Sequence, residues 1–191
     1  MKVVAFNGSA REGGNTSLLL KTVLAQLESR GIDTELVELA HAKVTPCKAC
    51  GKCRKKPTGN CPAIKDDVTA YIDTMRKADG ILLGSPVYFA DVTPQMKALI
   101  DRAGYVARGN GHMFARKVGA GVVAVRRAGA IHALDTMNHF FLISQMVVPG
   151  SSYWNLGVGG PRGEVDNDAE GMATMRDLGE NMAWVLKRLK G

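Results

Sequence analysis

The fold of this chain is decided by a stretch near its N-terminus, KVVAFNGSAREGGNTS at residues 2–17. The apolar run at residues 2–7 predicts a buried parallel strand. Leucines at helical spacing predict a helix over Thr16–Arg30, so the polar, glycine-rich residues 7–17 join a strand to a helix N-terminus. Unpaired N–H groups and the helix dipole favour an anion at such a position. The stretch therefore predicts an α/β protein whose first loop binds a phosphate.

The rest of the chain continues this alternation of strand and helix. Further strands are predicted at residues 32–39, 80–85, 118–125 and 146–149. Further helices are predicted at residues 66–77, 93–103, 130–145 and 168–190, the first capped by Asp66 or Asp67 and the second by Thr93 ahead of Pro94. We therefore predict a five-stranded parallel sheet of order 2-1-3-4-5, with helices on both faces and its ligand at the carboxyl ends of the strands.

Composition indicates an ordinary globular chain and argues against several partners. With 191 residues, of which 46% are hydrophobic and 23% charged, the chain suits a single domain spanning residues 1–191. No apolar run is long enough to cross a bilayer and the first residues do not resemble a signal peptide, so we expect a cytoplasmic protein without a membrane partner. No aromatic residues interleave with the basic run at residues 52–56, so the net charge of +7 does not predict nucleic-acid binding.

The loop at residues 7–17 lacks the features of two common nucleotide sites. Asn15 stands between Gly14 and Thr16, where a Walker A loop has lysine, and the G-x-G-x-x-G fingerprint is absent. Hydroxyl and N–H groups suit a terminal monoester phosphate, while a helix cap without a ligand is the alternative. The candidate phosphate ligands are Ser9, Arg11, Asn15, Thr16 and Ser17.

Two further loops are predicted at the same edge of the sheet. Pro86 stiffens the loop after the third strand, and Tyr88 and Phe89 can cover a flat ring, although both could instead pack under the next helix. Beside a phosphate site, this loop favours flavin mononucleotide (FMN). The loop after the fourth strand adds Arg126 and Gly129 as candidates, with an exposed basic turn as the alternative. Residues 151–163 complete the pocket or form an oligomer contact. The candidate ring-binding residues are Pro86, Val87, Tyr88, Phe89, Arg126 and Gly129.

All four cysteines lie in a loop at residues 40–65, called the cysteine loop below. They are Cys47, Cys50, Cys53 and Cys61, with Pro62 directly after the last. Only the last gap differs from the bacterial ferredoxin run C-x2-C-x2-C-x3-C-P, so an iron–sulfur cluster is favoured. Zinc, which normally takes two separated C-x2-C pairs, free thiols and a redox disulfide remain open. The neighbouring basic residues are expected to lower the thiol pKa values and to offset an anionic cluster.

Several of these segments resemble one family. Residues 8–11 with 14–17, residues 85–89 and the helix around residues 95–102 are similar to the NADPH-dependent FMN reductase and iron–sulfur flavoprotein group of the flavodoxin superfamily, and the resemblance covers nearly the whole chain. It implies that the candidates in the first loop hold the FMN phosphate and that the cysteines bind a [4Fe–4S] cluster. It also implies a dimer or tetramer. Asp101 and Arg102 are interpreted as structural, and the four histidines as surface or packing residues.

These observations predict an FMN-dependent oxidoreductase of flavodoxin-like fold. The flavin would accept a hydride from NAD(P)H, or electrons from a ferredoxin, and pass them to a small-molecule or protein acceptor. A cluster would be a one-electron port, and no catalytic acid or base is expected because the cofactor carries the chemistry. The alternatives are an NAD(P)H-dependent FMN or quinone reductase without a cluster, and a zinc-clipped electron shuttle that is not an enzyme.

Overall fold

The computed structural model describes residues 1–190, in which strands and helices alternate. The strands are β1 Lys2–Asn7, β2 Asp33–Glu38, β3 Gly80–Pro86, β4 Val118–Val125 and β5 Leu156–Val158. The helices are α1 Asn15–Ser29, α2 Lys52–Lys55, α3 Asp67–Lys77, α4 Pro94–Gly109, α5 Ala130–Ile143 and α6 Ala169–Lys190, with a 3-10 turn at Glu164–Asn167.

The strands form one parallel sheet in the order β2-β1-β3-β4-β5, which confirms the predicted flavodoxin-like topology. One apolar core packs α1 and α6 on one face, where Leu19 and Leu178 lie with Val3. The other core packs α3, α4 and α5 on the opposite face, where Ile72 and Leu99 lie with Phe6 and other side chains. The chain runs from β1 to β2 and returns past β1 to β3, so the order reverses there, and ligands bind outside such a switch point.

The last strand is not where the sequence predicts it. Residues 146–149 are apolar, but only Val147 forms a bridge, to Val118, and the strand paired with β4 is Leu156–Val158. The structure therefore corrects the prediction. Gly157 and the short length of β5 hide it from any pattern of alternation, whereas its pairing with β4 depends on the fold.

The caps of two helices differ in how local they are. Thr93 caps α4 as predicted, since its hydroxyl accepts the N–H of Met96 at 3.3 Å and Pro94 follows at the first helical position. Asp66 precedes α3, but its carboxylate makes no capping hydrogen bond and instead binds Arg102 on α4. The carboxylate that the sequence predicts as the cap of α3 is therefore bound to the guanidinium of Arg102 instead.

The longest helix, α6, has 22 residues and is amphipathic. It packs on α1 through buried residues that include Leu178, Met182 and Leu186. Among residues 1–190, none of the helices combines the length and apolar character needed to cross a bilayer.

Candidate functional site

The loop between β1 and α1, residues 7–17, is fixed by its own polar groups and is called the phosphate loop below. The side chain of Asn7 accepts the N–H of Ser9 at 3.0 Å, and the hydroxyl of Ser9 accepts the N–H of Arg11 at 3.0 Å. The hydroxyl of Thr93 donates to the carbonyl of Gly8 at 2.7 Å. A Cβ on Gly8 would come within 2.9 Å of that hydroxyl, so glycine allows α4 to approach the loop closely.

The loop between β5 and α6 closes against the phosphate loop. The amide of Asn15 donates to the carbonyl of Pro161 and accepts the N–H of Gly163, both at 2.8 Å. The guanidinium of Arg162 donates to the carbonyls of Glu12 and Gly13 at 2.5 and 3.2 Å. Asn15 therefore holds two loops together through its side-chain amide, which is the group that the sequence predicts as a phosphate ligand.

A cavity of about 510 Å³ opens at the carboxyl ends of β1, β3 and β4, and is called the edge cavity below. Its volume is in the range of small-molecule and cofactor sites. Three exposed guanidiniums line it, those of Arg11, Arg126 and Arg162, and the lining residues within 1–190 include no carboxylate. Thr16 lies at the helix start and lines the same cavity, so the site is suited to an anion.

A flat wall faces this cationic part of the edge cavity. Pro86, Val87 and Tyr88 line it, and Tyr88 is 43% exposed. The wall then turns sharply, since Phe89 and Ala90 both adopt left-handed conformations (φ 47° and 66°) and Tyr88 and Asp91 exchange backbone hydrogen bonds. Such a turn normally needs glycine or asparagine. Gly129 packs behind it, because a Cβ there would lie 2.8 Å from the Cα of Ala90.

The structure brings most of the predicted ring and phosphate residues together at the edge cavity. The ones that line it are Ser9, Arg11, Asn15, Thr16, Pro86, Val87, Tyr88 and Arg126. Three others lie elsewhere: Ser17 is buried with its hydroxyl on the carboxylate of Glu38 at 2.9 Å, Phe89 points fully into solvent, and Gly129 supports the turn. The sequence left the role of residues 151–163 open, and the structure adds Gly159, Gly160, Pro161 and Arg162 to the lining, together with Ala124.

The four cysteines line a second cavity, called the cysteine cavity below. The cysteine loop and the middle of α4 form it, and Arg102, Tyr105 and Val106 are its contributions from the helix. Of residues 1–190, none lines both cavities. Cys53 is buried and Cys61 partly buried, while Cys47 and Cys50 are exposed in a segment, residues 42–50, without regular secondary structure.

The environment of the sulfurs differs from the one predicted. Burial, followed by the nearby Cys61 thiol and more weakly Cys47 and Cys50, raises the pKa of Cys53, although the basic residues were expected to lower thiol pKa values. The main physical reason is that burial disfavours the charged thiolate of Cys53, and the neighbouring sulfurs oppose its ionisation further, while the lysines of the loop are exposed. The N–H of Ala49 donates to the sulfur of Cys47 at 3.4 Å.

The four cysteines of the cysteine cavity are suitable ligands for a multi-metal group, but the volume of the cavity is small. Among residues 1–190, no three His, Cys, Asp or Glu side chains converge closely enough to hold a single metal ion. In a [4Fe–4S] cluster each cysteine binds a different iron, so its sulfurs stand further apart than around one zinc ion. The cavity has about 20 Å³, roughly the space of one water, which is less than a four-iron cluster occupies.

A fully buried ion pair supports the cysteine cavity. The Nη1 atom of Arg102 lies 2.7 and 2.6 Å from the two carboxylate oxygens of Asp66, and it also donates to the carbonyl of Thr45 at 3.2 Å. Burial opposes ionisation of Asp66 most strongly, but hydrogen bonds from Arg102 and Thr45 hold its pKa below the ordinary value. The pair therefore stabilises the fold at neutral pH and loses this contribution as pH falls below about 4.

Comparison with known proteins identifies the family of the chain. The chain is a flavin-dependent oxidoreductase with a flavodoxin-like fold. It belongs to the NADPH-dependent FMN reductase family, whose model matches residues 1–160. An iron–sulfur flavoprotein of Methanocaldococcus jannaschii is 40% identical, with all of both chains covered. An iron–sulfur flavoprotein of Methanosarcina thermophila is 32% identical, covering 100% of this chain and 97% of that protein.

Solved structures show the same fold at low sequence identity. RosB, solved with a bound 8-demethyl-8-formylriboflavin-5'-phosphate intermediate, has a TM-score of 0.78 at 17% identity, covering 100% of this chain and 80% of RosB. A flavodoxin from the domain Archaea has a TM-score of 0.64 at 16% identity, covering 98% of this chain and 99% of the flavodoxin.

Proposed function

We propose that this FMN-dependent oxidoreductase couples a [4Fe–4S] cluster, held by Cys47, Cys50, Cys53 and Cys61, to the flavin in the edge cavity. The observation that carries the proposal is that all four cysteines line one cavity, separate from the cationic cavity at the switch point. Two relatives that match the whole chain are named iron–sulfur flavoproteins, which supports the same assignment.

The edge cavity accounts for the two ends of FMN. The hydroxyl of Thr16, the N–H groups at the start of α1 and the guanidinium of Arg11 would hold the phosphate, while Ser9 and Asn15 keep the loop in shape. Residues 86–88 would hold the ring, and Arg126, which lines the same cavity, would supply a positive charge beside it. Such a charge stabilises an anionic ring more than a neutral one.

The chain's own residues bind, orient and screen rather than exchange protons. When bound, FMN supplies hydride and single-electron chemistry, and a cluster supplies single electrons only. The lining of the edge cavity, within residues 1–190, contains no histidine or carboxylate that could act as a general acid or base. NAD(P)H or a ferredoxin-like protein is the donor class that this chemistry requires.

Anaerobic purification followed by analysis of the cofactors tests the proposal. We expect FMN together with about four iron atoms and four acid-labile sulfides per chain, with broad absorbance beneath the flavin bands. Cys53→Ser should abolish the iron and retain FMN, whereas Lys187→Ala, at an exposed residue of α6 that lines neither cavity, should retain both. FMN without iron would support a cluster-free NAD(P)H-dependent FMN or quinone reductase, and one zinc with no NAD(P)H oxidation would support an electron shuttle. A preparation that neither retains nor rebinds FMN would remove the basis of the flavin assignment.

A further inference from the structure

Among residues 1–190, the largest fully buried side chain is a cation beside the cysteines. Arg102 is 1% exposed and lies on α4, where it lines the cysteine cavity with the four sulfur-bearing residues. Burying a guanidinium is unfavourable unless its donors are paired. The partners of each N–H group of Arg102 therefore need to be identified.

Only one of its three nitrogens is in use. Nη1 makes all the contacts to Asp66 and Thr45, while Nε and Nη2 are buried without a partner among residues 1–190. A pair that only anchors a helix would normally use both arms of the guanidinium on the carboxylate. Here Nη1 alone donates to both carboxylate oxygens, so the N–H groups of Nε and Nη2 make no hydrogen bond. Unpaired buried donors are costly, so an acceptor is expected.

Besides backbone carbonyls, the acceptors around this cavity are the sulfurs and the hydroxyl of Tyr105. Apart from the cysteines and Lys48, whose ammonium can only donate, the lining consists of glycine, proline, alanine, isoleucine and valine, with Tyr105. The carboxylate of Asp66 already accepts from Nη1 and from the N–H of Thr45 at 2.9 Å. Four cysteine thiolates and the sulfides of a cluster form an anionic group with many acceptor sites.

We propose that the Nε–H and Nη2–H groups of Arg102 donate hydrogen bonds to sulfur atoms of the cysteine-bound cluster and thereby raise its reduction potential. The proposal rests on the proposed function, since it requires the cluster. Each electron added increases the negative charge on the sulfurs, so a buried cationic donor stabilises the reduced form more than the oxidised form. Asp66 is the positioning residue, because it fixes Nη1 and so directs the other two nitrogens.

Two variants separate the hydrogen bonds from the buried charge, and one controls for charge alone. Arg102→Lys keeps the cation beside Asp66 but has no second and third nitrogen. Asp66→Asn with Arg102→Gln removes both charges together, so no unpaired ion is buried. Arg108→Gln removes an exposed guanidinium from the same helix. The reduction potential of each holoprotein is measured by anaerobic titration monitored by electron paramagnetic resonance, with the FMN potentials as an internal reference.

We expect the double variant to shift the equilibrium between the two redox states of the cluster about tenfold towards the oxidised form, which lowers its reduction potential by about 59 mV for one electron. Arg102→Lys should lower the potential by less. FMN potentials and the Arg108→Gln cluster should be unchanged. The wild type should also show strongly coupled exchangeable protons at the cluster that Arg102→Lys loses. If the double variant does not fold, Arg102→Lys decides.

The possible failures are distinguishable. A wild type that contains iron and acid-labile sulfide, but whose potential and exchangeable protons equal those of Arg102→Lys, would overturn the role of Arg102 and leave the proposed function standing; a water in the cavity would then satisfy the free donors. A wild type without iron and sulfide after anaerobic purification would overturn both proposals.

Discussion

The edge cavity and the cysteine cavity are built in opposite ways. At the edge cavity the backbone is held by side-chain hydrogen bonds, since Asn15, Thr93 and Arg162 join loops that come from three different strand ends, while the cationic groups stand exposed. At the cysteine cavity the cation is buried and fixed, while residues 42–50, which carry two of the four sulfurs, have no regular structure. One site has a rigid frame with exposed charges, and the other has a buried charge beside a segment without regular secondary structure.

This difference indicates which cofactor shapes its own site. The edge cavity already has the volume of a cofactor site, so FMN binding needs little rearrangement. The cysteine cavity is too small for a cluster, so the free energy of metal binding must also order the loop. The two sites should therefore respond differently to mutation and to removal of their ligands.

The largest effect is expected from truncating the buried cation. Arg102→Met leaves the carboxylate of Asp66 buried without its partner, and breaking such a pair costs about 3–5 kcal/mol of unfolding free energy. Arg126→Gln, at the exposed rim of the edge cavity, should change stability by less than about 0.5 kcal/mol. Urea unfolding of both variants measures the contrast, and equal losses would show that exposure does not separate the two sites.

Removing iron should loosen the cysteine loop and leave the edge cavity in place. A ligand at about 100 times its Kd adds about 2.7 kcal/mol to the stability of the structure that binds it, about a hundredfold in a local opening equilibrium. Amide hydrogen exchange in residues 42–61 should therefore accelerate by about that factor after chelation. Exchange in residues 7–17 and the Kd for FMN should stay within about twofold. Uniform acceleration across both regions would contradict the separation of the two sites.

Two neighbouring hydroxyls separate ligand binding from scaffolding at the phosphate loop. Thr16 lines the edge cavity, whereas the hydroxyl of Ser17 is bound to Glu38. Loss of a hydrogen bond to a charged phosphate costs about 1.5–3 kcal/mol, so Thr16→Val should raise the Kd for FMN about 10- to 100-fold. Ser17→Ala should lower thermal stability and change the Kd by less than about threefold. Fluorescence titration of FMN decides, and a larger loss of affinity in Ser17→Ala would reverse the two roles.

The parts of this molecule that the sequence predicts are those set by local pattern. The buried strands β1, β3 and β4 and the Thr93 cap follow from apolar runs and from one residue's neighbours. The parts that differ depend on distant partners. Residues 156–158 form β5 because they pair with the free edge of β4. Asp66 does not cap α3 because its carboxylate binds Arg102, which lies 36 residues away in the sequence.

The same reasoning explains the candidate site. Eight predicted residues line the edge cavity because the carboxyl ends of parallel strands meet at one edge. The contribution of Gly159–Arg162 was left open because it depends on where β5 ends. The exposure of Phe89 could not be predicted, since two consecutive left-handed residues without glycine are rare and nothing in the segment announces them.

The smallest effect concerns backbone strain, which both sites contain. Ala49 in the cysteine loop and Ala90 in the wall turn have positive φ angles of 51° and 66°. A non-glycine residue in the left-handed conformation costs about 1–2 kcal/mol, which glycine avoids. Glycine also loses about 0.5–1 kcal/mol more in conformational entropy on folding, so only part of the strain energy is recovered. Ala49→Gly and Ala90→Gly should each raise the unfolding free energy of the iron-free protein by about 0.5–1 kcal/mol.

Iron loading should then distinguish the two substitutions. If the cysteine loop rearranges around a cluster, the conformation of Ala49 changes with it, and the gain from Ala49→Gly should differ between the iron-free and iron-loaded protein. The wall turn belongs to the rigid frame, so the gain from Ala90→Gly should be the same in both. Thermal unfolding resolves the difference, because 1 kcal/mol corresponds to about 2–4 °C in Tm for a chain of this size. Equal gains for Ala49→Gly in both forms would mean that the cysteine loop accepts its metal without changing shape.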